Sequence, residues 1–374
     1  MADPRRRRWL AALLSAGLGL ALAALATAPV NAASLWWSAA PGPARSWSQI
    51  ASDSGSTTLA ISGGVAGWLD PLTGSFQPVA GGAGAAYVAA QGPSGLVLLR
   101  DGRLLATQAG GTTHVLRLLP GQPRGVGIGP GRRPRVVAAT SSGLFWGPLG
   151  SLLPHRVPLR ESATPIHLTS PVSAGEPFVV VASNGELLFL GTNGRLHPSV
   201  GAPRLGTHPV VVELGDGVLL AGGRSGLVWG LFRSGWQPVL QLLPYGGIGG
   251  VPALTAMISD GPTAAYLGTY GFGTMLTPDG GYTWYRAAPP VADVVGLATL
   301  GPVFAARPRG VVVAATPGGL FLHRLQALPG PPSYRGASLE GQILGTAGVT
   351  VVTAALAILL MWWPRRRERR RLFV

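Results

Sequence analysis

The stretch TPDGGYTW at 277–284 sets one carboxylate, Asp279, among hydroxyls and glycines in a chain of 374 residues that has only 14 acids. A carboxylate in that company has three uses: moving a proton, holding a metal, or accepting backbone hydrogen bonds in a turn. Glycoside chemistry needs a second carboxylate at a fixed separation, and a calcium cage needs six or more oxygens. Neither set of partners stands near Asp279 in the sequence. The stretch therefore reads as a turn in which aspartate accepts from N–H groups a few residues on and the glycines supply positive φ. Calcium or sugar contact is the other reading.

The rest of the chain is poor in reactive groups. It has no cysteine, which excludes disulfides, Cys-ligated zinc, iron–sulfur clusters and thiol nucleophiles. All 29 basic residues are arginine, so a Schiff-base lysine and a P-loop lysine are excluded as well. His114, His155, His167, His197, His208 and His323 are isolated, with no HExxH and no close pair, and no metal site or other cofactor is expected. Glu161, Glu176, Glu186 and Glu213 show no spacing that pairs one of them with a tyrosine or a second carboxylate. Arg100, Arg224 and Arg307 are candidates to converge in three dimensions on a substrate carboxylate. The run GVGIGPG at 125–131 lacks the dinucleotide-binding register and reads as a loop. Directly after it, Arg132, Arg133 and Arg135 form a local basic spot, either a solvated loop or a contact for an acidic partner or lipid headgroup.

The formal charge of +15 suggests nucleic acid until it is located. Arg5 to Arg8 and six arginines between 365 and 371 lie at the two ends, and the remainder is too weakly basic to track phosphates. No nucleic-acid partner is expected. Residues 1–32 combine a basic start, a long Leu/Ala run and a small-residue exit, the pattern of an export signal. Two outcomes stay open: cleavage before Ala33, or retention as an anchor with Trp9, Trp36 and Trp37 at the interfaces. Residues 343–363 run without a charge and end in Trp362 and Trp363, long enough for a transmembrane helix. The arginines of 364–374 then make a cytoplasmic tail. This places 33–325 on the extracytoplasmic side, joined to the membrane by a Pro/Gly linker at 326–342.

That exported segment repeats. VVAATSSGLF at 136–145 returns as VVAATPGGLF at 312–321, and related strand–turn–strand units begin at Thr57, Ala86, Phe178, Gly217 and Ala264. Each is an apolar, β-branched or aromatic strand, a glycine turn and a second strand. The glycines taken as the turn residues are Gly95, Gly143, Gly185, Gly226, Gly271 and Gly319, 41 to 48 residues apart. With 57 glycines and 34 prolines, long helices are disfavoured through the middle. An all-β chain with a period of 40 to 50 residues is a β-propeller with one blade per repeat. The Thr57 unit makes seven blades; without it there are six.

On these residues the chain resembles the Asp-box, or BNR-repeat, propellers. Their motif of Ser/Thr, Asp, Gly, Thr and Trp is matched by Thr277, Asp279, Gly281, Thr283 and Trp284. The pattern is most similar to the propellers of photosystem II assembly factors and their bacterial relatives. The resemblance implies that the box is structural and lies away from the ligand face, and only one blade carries it in full. LTGSFQPV and FRSGWQPV place Ser75 and Trp236 comparably without an aspartate. Some Asp-box proteins are sialidases, which use an arginine cluster, a tyrosine–glutamate nucleophile and an aspartate, with an Arg-Ile-Pro signature that is absent here. Two functions follow: a membrane-tethered scaffold binding protein partners at the propeller face, or a glycan-active hydrolase at the cell surface.

Overall fold

The computed structural model describes residues 37–324 apart from 53–57, 152–154, 158, 160–162, 172–173, 216, 243–250, 260–262, 288–292 and 301–310. The strands form seven four-stranded antiparallel sheets. In sequence order the first six are blade 1 (47–83), blade 2 (85–118), blade 3 (123–157), blade 4 (165–198), blade 5 (210–241) and blade 6 (253–286). Blade 7 takes three strands from 296–324 and its fourth from Trp37–Ala39. The first strands of successive blades touch in a closed circle, blade 7 meeting blade 1. This is a seven-bladed β-propeller, and the alternative of six blades is set aside. The signal or anchor at 1–32, the linker at 326–342, the transmembrane segment at 343–363 and the tail at 364–374 lie outside the described residues. Among the described residues no helix is long and apolar enough to cross a membrane.

The repeat is periodic because each blade buries both faces. Stacked blades cover one another, so a middle strand such as Phe178–Ala182 is buried at every position and reads as an unbroken apolar run. The core is accordingly divided into seven apolar clusters, one in each seam between neighbouring blades. Polar clasps cross the same seams near the axis. Gln49 accepts from the Val88 N–H at 3.0 Å, Thr169 donates to the Val211 carbonyl at 3.0 Å, and Thr255 donates to the Val294 carbonyl.

One repeat unit sits in a different place from the others. The unit beginning at Ala86 forms the first and second strands of blade 2, whereas the remaining units form second-to-third-strand hairpins. Gly95 is therefore not a turn glycine: it lies inside the strand Ser94–Leu99, where a Cβ would come within 2.9 Å of Leu59 and Trp68 of blade 1. The true equivalent is Gly102, with φ of 88°. It stands 41 residues before Gly143. At Gly102 a Cβ would lie 2.4 Å from the Leu119 carbonyl oxygen, so both conformation and space require glycine.

Closure of the ring is the work of a very short strand. Trp37, Ser38 and Ala39 pair antiparallel with His323, Leu322 and Phe321, and the Ala40 N–H donates to the Leu320 carbonyl at 2.9 Å. The Trp37 side chain is buried and its indole N–H donates to the Ala287 carbonyl of blade 6 at 2.7 Å. On the other side of blade 7, Ser52 of blade 1 donates to the Thr299 carbonyl at 2.6 Å and accepts from the Thr299 N–H at 3.0 Å.

Candidate functional site

Strand alternation gives the propeller two unlike faces. The second-to-third hairpins and the links between blades lie toward one face, and the first-to-second and third-to-fourth turns toward the other. On the hairpin face the axis opens into a cavity of about 1190 Å³ that draws residues from all seven blades. Gln49, Tyr87, Pro123, His167, Val210, Thr255 and Val295 come from the beginnings of the seven inner strands or the residue just ahead of them. Gly64, Arg100, Arg224 and Tyr270 come from the hairpins that rim it. A smaller hollow of about 380 Å³ lies on blade 4, beside Phe189 and Asn193, with no charged residue in its lining.

The central cavity has one sign of charge. Among the described residues no aspartate or glutamate lines it, while Arg100 and Arg224 do, both exposed and neither guanidinium with an ion-pair or hydrogen-bond partner among the described residues. Asp101, next to Arg100 in the chain, is turned away from it. Its carboxylate accepts from the Arg103 N–H at 3.0 Å and is bridged to the Arg103 guanidinium at 2.7 Å. The Arg103 N–H, and then its guanidinium, hold that carboxyl below the usual range. His208, also in the lining, has φ of 56° and is the one non-glycine residue with positive φ among the described residues. Such a conformation is uncommon for a non-glycine residue and clusters at functional sites. His167 bonds through Nε2 to the Thr169 hydroxyl at 3.0 Å. Burial pushes its imidazole down to about 4, although the residue lines the cavity and is only partly buried.

The arginines singled out in the sequence are thus divided. Arg100 and Arg224 share the cavity from blades 2 and 5, while Arg307 lies outside the described residues. Of the four glutamates, Glu176, Glu186 and Glu213 do not line the cavity, and Glu161 lies outside the described residues. Tyr87 and Tyr270 therefore face it with no carboxylate beside them among the described lining residues. Among the described residues no cluster of three or more His, Asp or Glu forms a metal-binding group.

The stretch 277–284 joins the third and fourth strands of blade 6, toward the opposite face. Its side-chain hydrogen bonds are internal, while the Gly280 N–H donates to the Thr263 carbonyl at 2.6 Å and the Pro278 carbonyl accepts from the Thr263 hydroxyl at 2.9 Å. Asp279 accepts from the Thr283 N–H at 2.8 Å, the Thr283 hydroxyl at 2.6 Å and the Thr277 hydroxyl at 3.0 Å. Thr277 in turn accepts from the Gly281 N–H at 2.8 Å, and the Trp284 indole donates to the Gly281 carbonyl at 2.9 Å. Gly280 and Gly281 have φ of 75° and 100°. The half-buried Trp284 packs into the seam between blades 5 and 6, and a Cβ on Gly281 would sit 3.1 Å from Leu220 of blade 5. Asp279→Ala removes all three acceptor contacts at once and is expected to cost about 1–3 kcal/mol, read as a lower melting temperature of the full chain in detergent micelles. An unchanged melting curve would deny the carboxylate its place in the turn.

Sequence reading missed a second aspartate with a related task. In blade 1, Asp70 accepts from the Leu72 N–H at 2.9 Å and the Thr73 hydroxyl at 2.8 Å, holding the corresponding third-to-fourth turn. The signal was Asp-Pro followed two residues later by Thr-Gly, a turn pattern one step ahead of the segment inspected. Trp236 does occupy the place equivalent to Trp284. It packs into the seam between blades 4 and 5 and donates to the Ser199 hydroxyl at 3.1 Å.

Arg132 and Arg133 are exposed on the first-to-second loop of blade 3, on the face away from the cavity. Arg135 separates from them. Its guanidinium lies over the Phe178 ring at 6.0 Å and donates to the Glu176 carbonyl at 3.4 Å, and burial lowers its pKa from the usual arginine value.

The class defined by this geometry is the seven-bladed propeller with a basic axial cavity. No family model matches the chain, and no curated protein matches it. Solved structures share its architecture across most of its length. A YCF48 structure bound to a D1 peptide has 15% identity and a TM-score of 0.57, covering 78% of this chain and 97% of that one. The WD40 repeats of RRP9 have 12% identity and a TM-score of 0.61, covering 78% and 98%. A streptogramin B lyase has 12% identity and a TM-score of 0.54, covering 78% and 98%. At these identities the likeness is one of fold.

Proposed function

We propose that the chain is a membrane-tethered, extracytoplasmic scaffold that receives an acidic segment of a partner protein at the central cavity. The observation that carries this reading is the cavity itself: seven blades contribute, two unpaired guanidiniums line it, and among the described residues no carboxylate does. A cationic concavity attracts anionic segments over a distance and resists cationic ones. One propeller of the same fold is seen bound to a peptide, which agrees with a peptide-sized occupant. The glycan hydrolase is less well supported, because a retaining mechanism needs carboxylates where this lining has none among the described residues. The basic end at 364–374 and the apolar run at 343–363 supply the tether. The stretch 277–284 belongs in this reading to the framework, holding a turn.

The absence of native cysteine allows a clean test of side and face together. Ser46 lies exposed on the cavity rim, and Arg133 is exposed on the opposite face. In intact spheroplasts carrying Ser46→Cys or Arg133→Cys, a membrane-impermeant maleimide with a photoactivatable arm reacts with both thiols. On illumination it yields a discrete protein adduct from Ser46→Cys alone. Thiols that react only after lysis would overturn the extracytoplasmic placement. Equal adducts from both positions, or none from Ser46→Cys, would overturn the cavity as the binding site.

A further inference from the structure

Both ends of the described chain leave the propeller at one place. Trp37, the first described residue, pairs with His323, and Arg324 is the last. The Trp37 indole N–H donates to the Ala287 carbonyl, so this exit adjoins the outer strand of blade 6, where Tyr285 stands two residues before Ala287. That strand and the turn ahead of it present aromatic rings to solvent. Tyr282 is 70% exposed and Tyr285 43%. The Tyr282 ring lies against that of Phe232 of blade 5, with centroids 4.9 Å apart, and the exposed Arg233 follows Phe232 in the chain. Asp279, the acid of this turn, is engaged with Thr277 and Thr283.

We propose that this edge of blades 5 and 6 is the seat of the propeller on an anionic bilayer surface: Tyr282, Tyr285 and Phe232 sit in the headgroup layer, Arg233 meets lipid phosphate, and the cavity opens to water.

The inference rests on the membrane tether proposed above and adds how the propeller is held. Single exposed tyrosines are ordinary on a protein surface. These are set apart by their gathering beside the point from which both flanking segments depart. The 18 residues 325–342 separate Arg324 from the apolar run at 343–363. A coil of that length spans about 25 Å root-mean-square, and a compact body of about 290 residues has a radius of gyration of about 19 Å. The bilayer therefore lies within one propeller diameter of the exit. In the anchor alternative only residues 33–36 intervene on the other side. A tether this short keeps lipid at high effective concentration beside the edge, so weak contacts suffice. The chemistry of the edge matches the headgroup layer. Tyrosine has an apolar ring and a polar tip and favours that depth, and a neighbouring guanidinium is drawn to anionic lipid. The turn at 277–284 lies toward the face opposite the cavity. Seating it on lipid thus keeps Arg100 and Arg224 away from anionic headgroups and free for an acidic segment.

The full chain in nanodiscs of equal parts phosphatidylcholine and phosphatidylglycerol tests this, with a fluorophore on a single introduced thiol and a nitroxide on the lipid headgroup as quencher. Ser234 is exposed, directly after Arg233. A label at Ser234→Cys leaves all three rings in place and is expected to lose most of its emission. Labels at Ser46→Cys on the cavity rim and at Arg133→Cys of blade 3 keep theirs. Adding Tyr282→Ser and Tyr285→Ser to Ser234→Cys restores the emission with the melting temperature unchanged, since neither ring is buried. A chain that stays out of the discs would overturn the tether itself, and this seat with it. A chain held in the discs whose Ser234→Cys label is as bright as that at Arg133→Cys, or stays quenched without the two tyrosines, would overturn the seat alone. An unquenched label in discs together with a protein crosslink through Ser234→Cys in native membranes would give the edge to a protein partner and overturn the lipid seat.

Discussion

Trp37→Ala is expected to lower the unfolding free energy by about 3–5 kcal/mol, the range for truncating a buried tryptophan. The loss is large because three contributions meet in one side chain. The indole is 7% exposed in the cluster that joins blades 6 and 7, its N–H bond to the Ala287 carbonyl crosses the seam, and its backbone pairs with His323. A domain's net stability is only some 5–15 kcal/mol, so the variant should melt far below the parent. Trp37→Phe keeps most of the apolar area and loses the indole bond, which is expected to cost about 1 kcal/mol from the bond alone. Thermal unfolding of the full chain in detergent micelles, followed by near-ultraviolet circular dichroism, reads both. Equal melting temperatures for parent and Trp37→Ala would show that closure adds nothing to stability.

The second large effect concerns binding. Arg100→Glu combined with Arg224→Glu turns two unpaired cations at the cavity into anions while leaving every seam cluster untouched. Replacing attraction by like-charge repulsion costs several kcal/mol at an interface, and each 1.4 kcal/mol is tenfold in affinity. The crosslinked adduct formed from Ser46→Cys should therefore fall by roughly a hundredfold or more, with the melting temperature unchanged. The parent adduct should also weaken as salt is raised, since exposed charges are screened within about 8–10 Å at physiological ionic strength. An adduct of undiminished yield in the double variant would remove the electrostatic basis of the proposed function.

Much of the framework was legible because it is local. Hairpin strands such as VVAAT carry their apolar pattern and their glycines within ten residues, and Asp279 finds its partners within four positions. What was less legible is what ring geometry alone brings together. Arg100 and Arg224, 124 residues apart, were named as candidates to converge and both line the cavity, but nothing in either hairpin marks it as facing the axis. Trp37 and His323 are joined only by closure of the circle, whereas in the sequence Trp37 had a role only in the anchor alternative, at a membrane interface. Gly95 was misplaced for a physical reason: glycine serves both tight turns and close packing, and only the approach of Leu59 and Trp68 distinguishes the two. Arg135 was grouped with Arg132 and Arg133 by adjacency, but strand alternation turned it onto Phe178 instead.

The shared fourth strand of blade 7 also governs the order of events in time. A ribosome releases Trp37–Ala39 before any other strand of the propeller, yet their partner Gly319–Arg324 is the last strand to be made. Six blades can form as each becomes complete, because their four strands are consecutive in the chain. The seventh must wait through nearly three hundred residues of synthesis, with an unpaired strand edge at blade 7 and the apolar sides of blades 1 and 7 open until the ends meet. Long-range pairing of this kind is slow, and exposed strand edges invite other chains while they last. The rate of appearance of the finished propeller is therefore set by a single late encounter between three residues and six.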